Sequence, residues 1–301
     1  MRILVTDGMD KTAMAQLREM GHEVVEQFYE PDQLGAALKD FDAVVVRSKT
    51  KVRANHIDEA KTGKLKLIIR GGVGVDNIDV KYAESCGITV KNTPRASSQS
   101  VAELAMGHMF SCARYLSIAG HTMREDKWEK KAYGKGIELQ GKTLGSGGFG
   151  RIGQHLGVMA KAIGMKVVAF DIFHIPGIEE QLGIPYVEMD DLLAQADFVS
   201  VHAPAVDGGA LISAENIAKM KDGVVIINTS RGTNVDEAAL LAALESGKVR
   251  AAGLDVYADE PATNKALYSH PMVSCTPHIG AATVEAQKRI GAEIVDIIKN
   301  F

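Results

Sequence analysis

Three residues in the second half of this sequence are of types that can grip an anion and move a proton. Arg231 lies in Asn-Thr-Ser-Arg-Gly-Thr-Asn-Val-Asp-Glu, Glu260 in Gly-Leu-Asp-Val-Tyr-Ala-Asp-Glu-Pro, and His278 in Thr-Pro-His-Ile-Gly-Ala-Ala-Thr. Each falls in a turn-like setting at the end of a predicted strand, and ligands of open parallel sheets gather at strand carboxyl ends. A guanidinium holds a carboxylate bidentately. An imidazole buttressed by a carboxylate is a general base suited to neutral pH. The set suits oxidation of a 2-hydroxy acid: Arg231 holds the carboxylate, His278 takes the hydroxyl proton with Glu260 behind it, and a nicotinamide takes the hydride.

A place for that nicotinamide is written upstream. Gly148-Phe149-Gly150-Arg151-Ile152-Gly153 matches G-x-G-x-x-G between a predicted strand and a predicted helix. Gly148 permits the tight turn, Gly150 lets backbone approach a pyrophosphate, and Gly153 lets helix and strand pack closely. The amides of Arg151 and Ile152 open the helix, whose N-terminus favours phosphate. Asp171 ends the next predicted strand. It would accept from a ribose diol and repel a 2′-phosphate, and Asp-Ile-Phe-His brings no cation after it, so NAD is expected over NADP. One feature conflicts: Leu144-Gly145-Ser146-Gly147 puts small and polar residues where a buried central strand wants β-branched ones, and should weaken it.

These residues need a scaffold of alternating strands and helices. The first ninety residues give strands at 3–6, 22–28, 43–46, 65–69 and 88–90 with helices between them, a doubly wound parallel sheet. Ser100-x-x-Glu103 reads as a capping box opening a long helix, with Val101, Leu104, Ala105, His108, Cys112 and Tyr115 on one face. The alternation then restarts with strands at 143–147, 166–170, 198–201, 224–228 and 251–254, and a helix at 284–299 closes the sequence. The expected fold is α/β: two doubly wound parallel-sheet domains, flavodoxin-like and Rossmann, with a cleft between them.

Composition narrows the class. Lys and Arg number 34 against 38 Asp and Glu, so no basic face for nucleic acid is expected. No apolar run reaches the ~18 residues of a membrane span. An acid at Asp7 argues against a signal peptide. Cys86, Cys112 and Cys275 are an odd, widely spaced set, neither a disulfide framework nor a zinc pattern, so no metal is expected and the thiols read as reduced ones in a cytoplasmic protein. The other histidines, His108 included, read as ordinary. The charge run 125–131 reads as a solvated face around Trp128.

In these four segments, from Gly-Phe-Gly-Arg-Ile-Gly to Thr-Pro-His-Ile-Gly-Ala, the sequence closely resembles the D-isomer-specific 2-hydroxyacid dehydrogenases, and the likeness runs through essentially the whole chain. The resemblance implies Arg231, Glu260 and His278 as the catalytic trio. It implies Asp255 near the nicotinamide amide, with His202, Pro204, Thr229 and Ser230 lining the cofactor. It also implies a discontinuous plan, a substrate domain of residues 1–96 plus 282–301 around an NAD domain of 97–281, and homodimers through the helix near 97–119.

Within that family the substrate half looks most like the phosphoglycerate dehydrogenases. Val46-Arg47-Ser48-Lys49-Thr50 resembles the segment whose Arg contacts the substrate phosphate. Ile69-Arg70-Gly71-Gly72-Val73-Gly74 resembles the loop whose amides, at Gly72, Val73 and Gly74, hold the substrate carboxylate. Two arginines after parallel strands, Arg47 and Arg70, suit a dianionic phosphate. The long members carry C-terminal serine-binding domains. This sequence stops after the final helix, so that site is expected to be missing. Glyoxylate/hydroxypyruvate reductase, D-lactate dehydrogenase and an NAD-sensing corepressor of the same fold remain open alternatives.

Overall fold

The computed structural model describes residues 1–205 and 208–301. The chain forms two compact units, Met1–Ser98 with Ala281–Phe301, and Gln99–Gly280.

The first unit is built on five parallel strands: β1 (Arg2–Val5), β2 (Glu23–Glu26), β3 (Ala43–Val46), β4 (Leu67–Arg70) and β5 (Thr89–Asn92), in the order β2-β1-β3-β4-β5. This is the flavodoxin-like order. The three inner strands, β1, β3 and β4, are short and apolar on both faces, as a sheet covered by helices on each side requires, while the edge strands β2 and β5 carry Glu23, Glu26 and Lys91. Alternation sorts the side chains. Ile3 and Val5 face the helices Lys11–Glu19 and Val284–Lys299, packing with Leu17, Ile290, Ile294 and Ile298. Leu4 faces the other way, toward Leu34, Leu38 and Ile57 of the helices Pro31–Leu38 and Ala54–Ala60. The last helix of the chain therefore completes the core of the first unit.

The second unit carries β6 (Thr143–Gly147), β7 (Lys166–Phe170), β8 (Phe198–Val201), β9 (Val224–Asn228), β10 (Val249–Leu254) and β11 (Val273–Cys275), in the order β11-β10-β9-β8-β6-β7. Beyond β7, Tyr186 makes a parallel bridge to Ala169, and Val187 N donates to Ala169 O at 2.8 Å. With that segment counted, the order around β6 is that of a Rossmann sheet.

The weak-looking strand β6 has a packing explanation. A Cβ on Gly145 would lie 2.6 Å from Leu192 of the helix Met189–Gln195. A Cβ on Gly153 would lie 2.5 Å from Gly148 O and 2.8 Å from Ser146 Oγ. Ser146 is fully buried, and its hydroxyl donates to Gly148 O at 2.7 Å. The small residues let helices close on both faces of the strand, and the serine ties the strand to the turn.

The long helix departs from expectation at both ends. It begins at Ser98, so Ser100 lies inside it rather than capping it. It also ends at Arg114. Tyr115 takes a left-handed φ of 58°, and a second helix runs Leu116–Arg124. The segment near 97–119 is thus two helices.

Candidate active site

Everything in the expected catalytic trio is carried by the second unit. Arg231 follows β9 and precedes the 3-10 turn Gly232–Asn234. Asn228, the last residue of β9, shapes this exit: its Nδ2 donates to Arg231 O at 2.8 Å, and its Oδ1 accepts from Ser230 N at 3.0 Å. The Arg231 guanidinium donates to Ser230 O at 2.7 Å.

Glu260 and His278 meet. His278 Nδ1 is 2.7 Å from Glu260 Oε2, and both side chains are 38% exposed. Glu260 Oε1 also accepts from Tyr257 N at 3.3 Å. Burial raises the Glu260 carboxyl, but the His278 hydrogen bond, the Tyr257 amide and the Arg231 charge outweigh it and hold the group below its ordinary range. A cavity of about 450 Å³ borders the pair, walled by Tyr257, Pro261, Tyr268 and Pro277.

Asp255, expected beside a nicotinamide amide, has further partners. It is 1% exposed. Its Oδ1 accepts from Ile279 N at 2.8 Å and Thr276 Oγ1 at 2.6 Å, and its Oδ2 accepts from Gly280 N at 2.8 Å. The carboxylate thus clamps the turn that carries His278.

The glycine-rich turn leaves β6 as expected. Gly148 adopts φ 97°, where only glycine is at ease, and its N–H donates to Phe170 O at 2.8 Å. Gly150 caps the helix Arg151–Ala162, and nothing crowds the space a Cβ would take there. Asp171 accepts from Phe149 N at 2.7 Å and from Phe173 N at 3.0 Å, so it also braces the turn. His202 lies against Gly148, with its backbone carbon 2.7 Å from where a Cβ would be. Burial lowers His202 to about 4, so its ring is neutral. Its Nε2 bonds Ser200 Oγ at 2.8 Å. Among the described residues, His202 Nδ1 and Thr229 Oγ1 are buried polar atoms with no partner. Buried polar atoms are normally satisfied, so a polar ligand at this rim accounts for them. An open, glycine-lined helix N-terminus beside such atoms fits a dinucleotide. Pro204 and Ser230 join the same rim: Asn234 Nδ2 reaches Pro204 O at 3.2 Å and Ser230 Oγ at 3.1 Å.

In the first unit, Arg47 and Arg70 stand at the carboxyl ends of neighbouring strands, since Val46 pairs with Arg70. The Arg47 loop is held from two sides. Asp7 accepts from Arg47 N, Thr50 N and Thr50 Oγ1 at 2.8, 2.9 and 2.6 Å. Asn77 Nδ2 donates to Arg47 O and Thr50 O, each at 2.7 Å. Neither Asp7 nor Asn77 stands out in the sequence, because each acts across tens of residues. Gly72, Val73 and Gly74 form a loop fastened by Thr93 N to Gly72 O at 3.0 Å and Asn92 Nδ2 to Val73 O at 2.5 Å.

A Rossmann-ordered unit with a G-x-G-x-x-G turn and a paired His and Glu defines an NAD-dependent dehydrogenase. Comparison with known proteins agrees. The model of the D-isomer specific 2-hydroxyacid dehydrogenase NAD binding domain matches residues 106–280, and the chain belongs to that family. A hydroxypyruvate reductase of Thermotoga maritima is 48% identical, with 99% of this chain and 97% of that protein covered. A D-3-phosphoglycerate dehydrogenase of Methanocaldococcus jannaschii is 44% identical over 99% of this chain but 57% of its own length. The chain thus spans a little over half of the phosphoglycerate dehydrogenases it matches. The holo structure of Rhodotorula graminis D-mandelate dehydrogenase superposes with a TM-score of 0.91 at 27% identity, covering 100% of this chain and 94% of that one. Among the described residues no helix is long and apolar enough to cross a membrane.

Proposed function

We propose that this dehydrogenase interconverts 3-phospho-D-glycerate and 3-phosphohydroxypyruvate. The observation that carries the reading is the pair of arginines, Arg47 and Arg70, at adjacent strand ends in one unit. A non-phosphorylated 2-hydroxy acid has no dianion for them.

In the oxidative direction Arg231 grips the carboxylate; within the first unit the loop amides of Gly72, Val73 and Gly74 are donors suited to the same kind of group. His278 Nε2 accepts the hydroxyl proton, while Glu260 orients the ring through Nδ1. Bound NAD supplies the hydride acceptor. Gly148, Gly150, Arg151, Ile152 and Gly153 hold its pyrophosphate, Asp171 its adenosine ribose, and His202, Pro204, Thr229, Ser230 and Asp255 its nicotinamide half. The protein acts as a homodimer in the cytoplasm, joined through the two helices that span 98–124.

Hydroxypyruvate as substrate is the second reading, favoured by the 48% identity to a reductase matched along 97% of its length. The two substrates differ by one phosphate. Arg47→Ala and Arg70→Ala should each raise KM for 3-phosphoglycerate by about ten- to a hundred-fold, because each charge-assisted hydrogen bond contributes roughly 1.5–3 kcal/mol. D-glycerate should lose far less. The measurement is kcat/KM for both substrates in wild type and variants, followed at the NADH absorbance. Equal losses, or a wild type inert toward 3-phosphoglycerate, would give the assignment to hydroxypyruvate.

A further inference from the structure

Behind the His278 turn lies a buried chain of polar side chains that ends on a helix of the same unit. His108, on the helix Ser98–Arg114, is 3% exposed. Its Nδ1 is 3.0 Å from Ser274 Oγ and its Nε2 is 3.1 Å from Thr276 Oγ1. Thr276 Oγ1 is 2.6 Å from Asp255 Oδ1. Asp255 in turn receives the amides of Ile279 and Gly280.

The proton positions along this chain follow from its end. The Asp255 carboxyl oxygens already accept two backbone amides, and the single Thr276 hydroxyl proton points at Asp255 as well. Toward His108 the same oxygen can then only accept, which requires Nε2 to carry a proton. Burial, opposed by the Asp255 charge, lowers His108, so the ring is neutral. Nδ1 is therefore bare and accepts from Ser274. The direction is fixed throughout: Ser274 to His108, His108 to Thr276, Thr276 to Asp255. Such a chain leaves Asp255 with a fixed share of its lone pairs aimed at the two amides after His278.

We propose that His108 is a positioning residue for the reaction: through Thr276 it fixes Asp255, which holds the His278 turn in its left-handed conformation. The helix sits close enough to do this only because β10 carries Gly253 beneath it, where a Cβ would lie 2.5 Å from that of His108. This inference rests on His278 being the base.

The test uses His108→Leu, His108→Gln, Thr276→Val and, as a control, His278→Asn. Each is assayed for turnover in whichever direction the wild type runs, for NADH binding by fluorescence, and for melting temperature. His108→Leu and Thr276→Val should lower kcat about ten-fold or more through misplacement of the base, while NADH affinity stays within about two-fold. The Gln variant, whose amide can donate where Nε2–H does, should recover most of kcat. Nitrogen NMR of histidine-labelled wild type should show His108 protonated at Nε2 and bare at Nδ1. Full kcat in folded His108→Leu or Thr276→Val would overturn the proposal. So would equal impairment of the Leu and Gln variants, parallel losses of NADH binding, or a protonated Nδ1. Thr276→Val decides the matter should the Leu variant not fold. Retained turnover in His278→Asn would instead remove the base itself, and the inference with it.

Discussion

His278 stands at φ 54°, a conformation that costs a non-glycine residue about 1–3 kcal/mol and persists only where its surroundings impose it. Here the neighbouring amides on Asp255 and the Glu260 contact at 2.7 Å impose it. His278→Asn should cut kcat by roughly 10²–10⁴-fold, the usual contribution of base catalysis. NADH affinity should be kept, and fluorescence titration beside steady-state assays checks both. Glu260→Gln separates orientation from charge. The neutral amide can still hold the ring, but the carboxylate that pairs with it is gone. Hydroxy-acid oxidation should therefore lose about ten-fold or more in kcat while NADH affinity is kept, and an unchanged kcat in steady-state assays would dissociate the pair. Glu260 is depressed in the folded protein, so its contribution is complete above the ordinary carboxylate range near 4.5 and is lost as pH falls through the lower folded value.

The elements meet with little slack. A Cβ on Gly232, the residue after Arg231, would fall 1.8 Å from the carbonyl oxygen of Tyr257, three residues before Glu260. Gly232→Ala must push the Arg231 segment away from the Glu260 segment. It should cost about 1–3 kcal/mol of stability, as overpacking does, and lower kcat/KM more than the melting temperature would suggest. Thermal unfolding set beside kinetics tests this. The same closeness explains what the sequence could and could not tell. Strands β7 to β9 and the helix Val284–Lys299 are legible because apolar runs bounded by turns mark buried strands and apolar spacing marks an amphipathic helix. The glycine turn and the Arg, Glu and His segments were legible because their chemistry is local. The three-residue strand β11 and the helix Met189–Gln195 offer no such signal. The link from His108 to Ser274 spans 166 residues and that from Asp7 to Thr50 spans 43, so nothing in either neighbourhood marks it. Gly145 and Ser146 read as defects along the strand because the helices that need the room are distant in sequence.

At the scale of the molecule, Phe110, Leu116 and Met123 leave apolar side chains exposed along the two helices that replace the expected single one. If the dimer forms there, sedimentation should give twice the 32.2 kDa chain mass, and Leu116→Glu with Met123→Glu should yield a monomer. An unchanged mass in that double variant would place the contact elsewhere. The discontinuity of the first unit has a different kind of consequence. Ile290, Ile294 and Ile298 cover one face of its sheet, yet the ribosome makes them only after all of Gln99–Gly280. At about 5–20 residues per second, those strands wait roughly ten to forty seconds with only the helix Lys11–Glu19 on that face. The second unit can finish folding in that interval, so the order of synthesis leaves Met1–Ser98 as the part that most needs a chaperone's shelter.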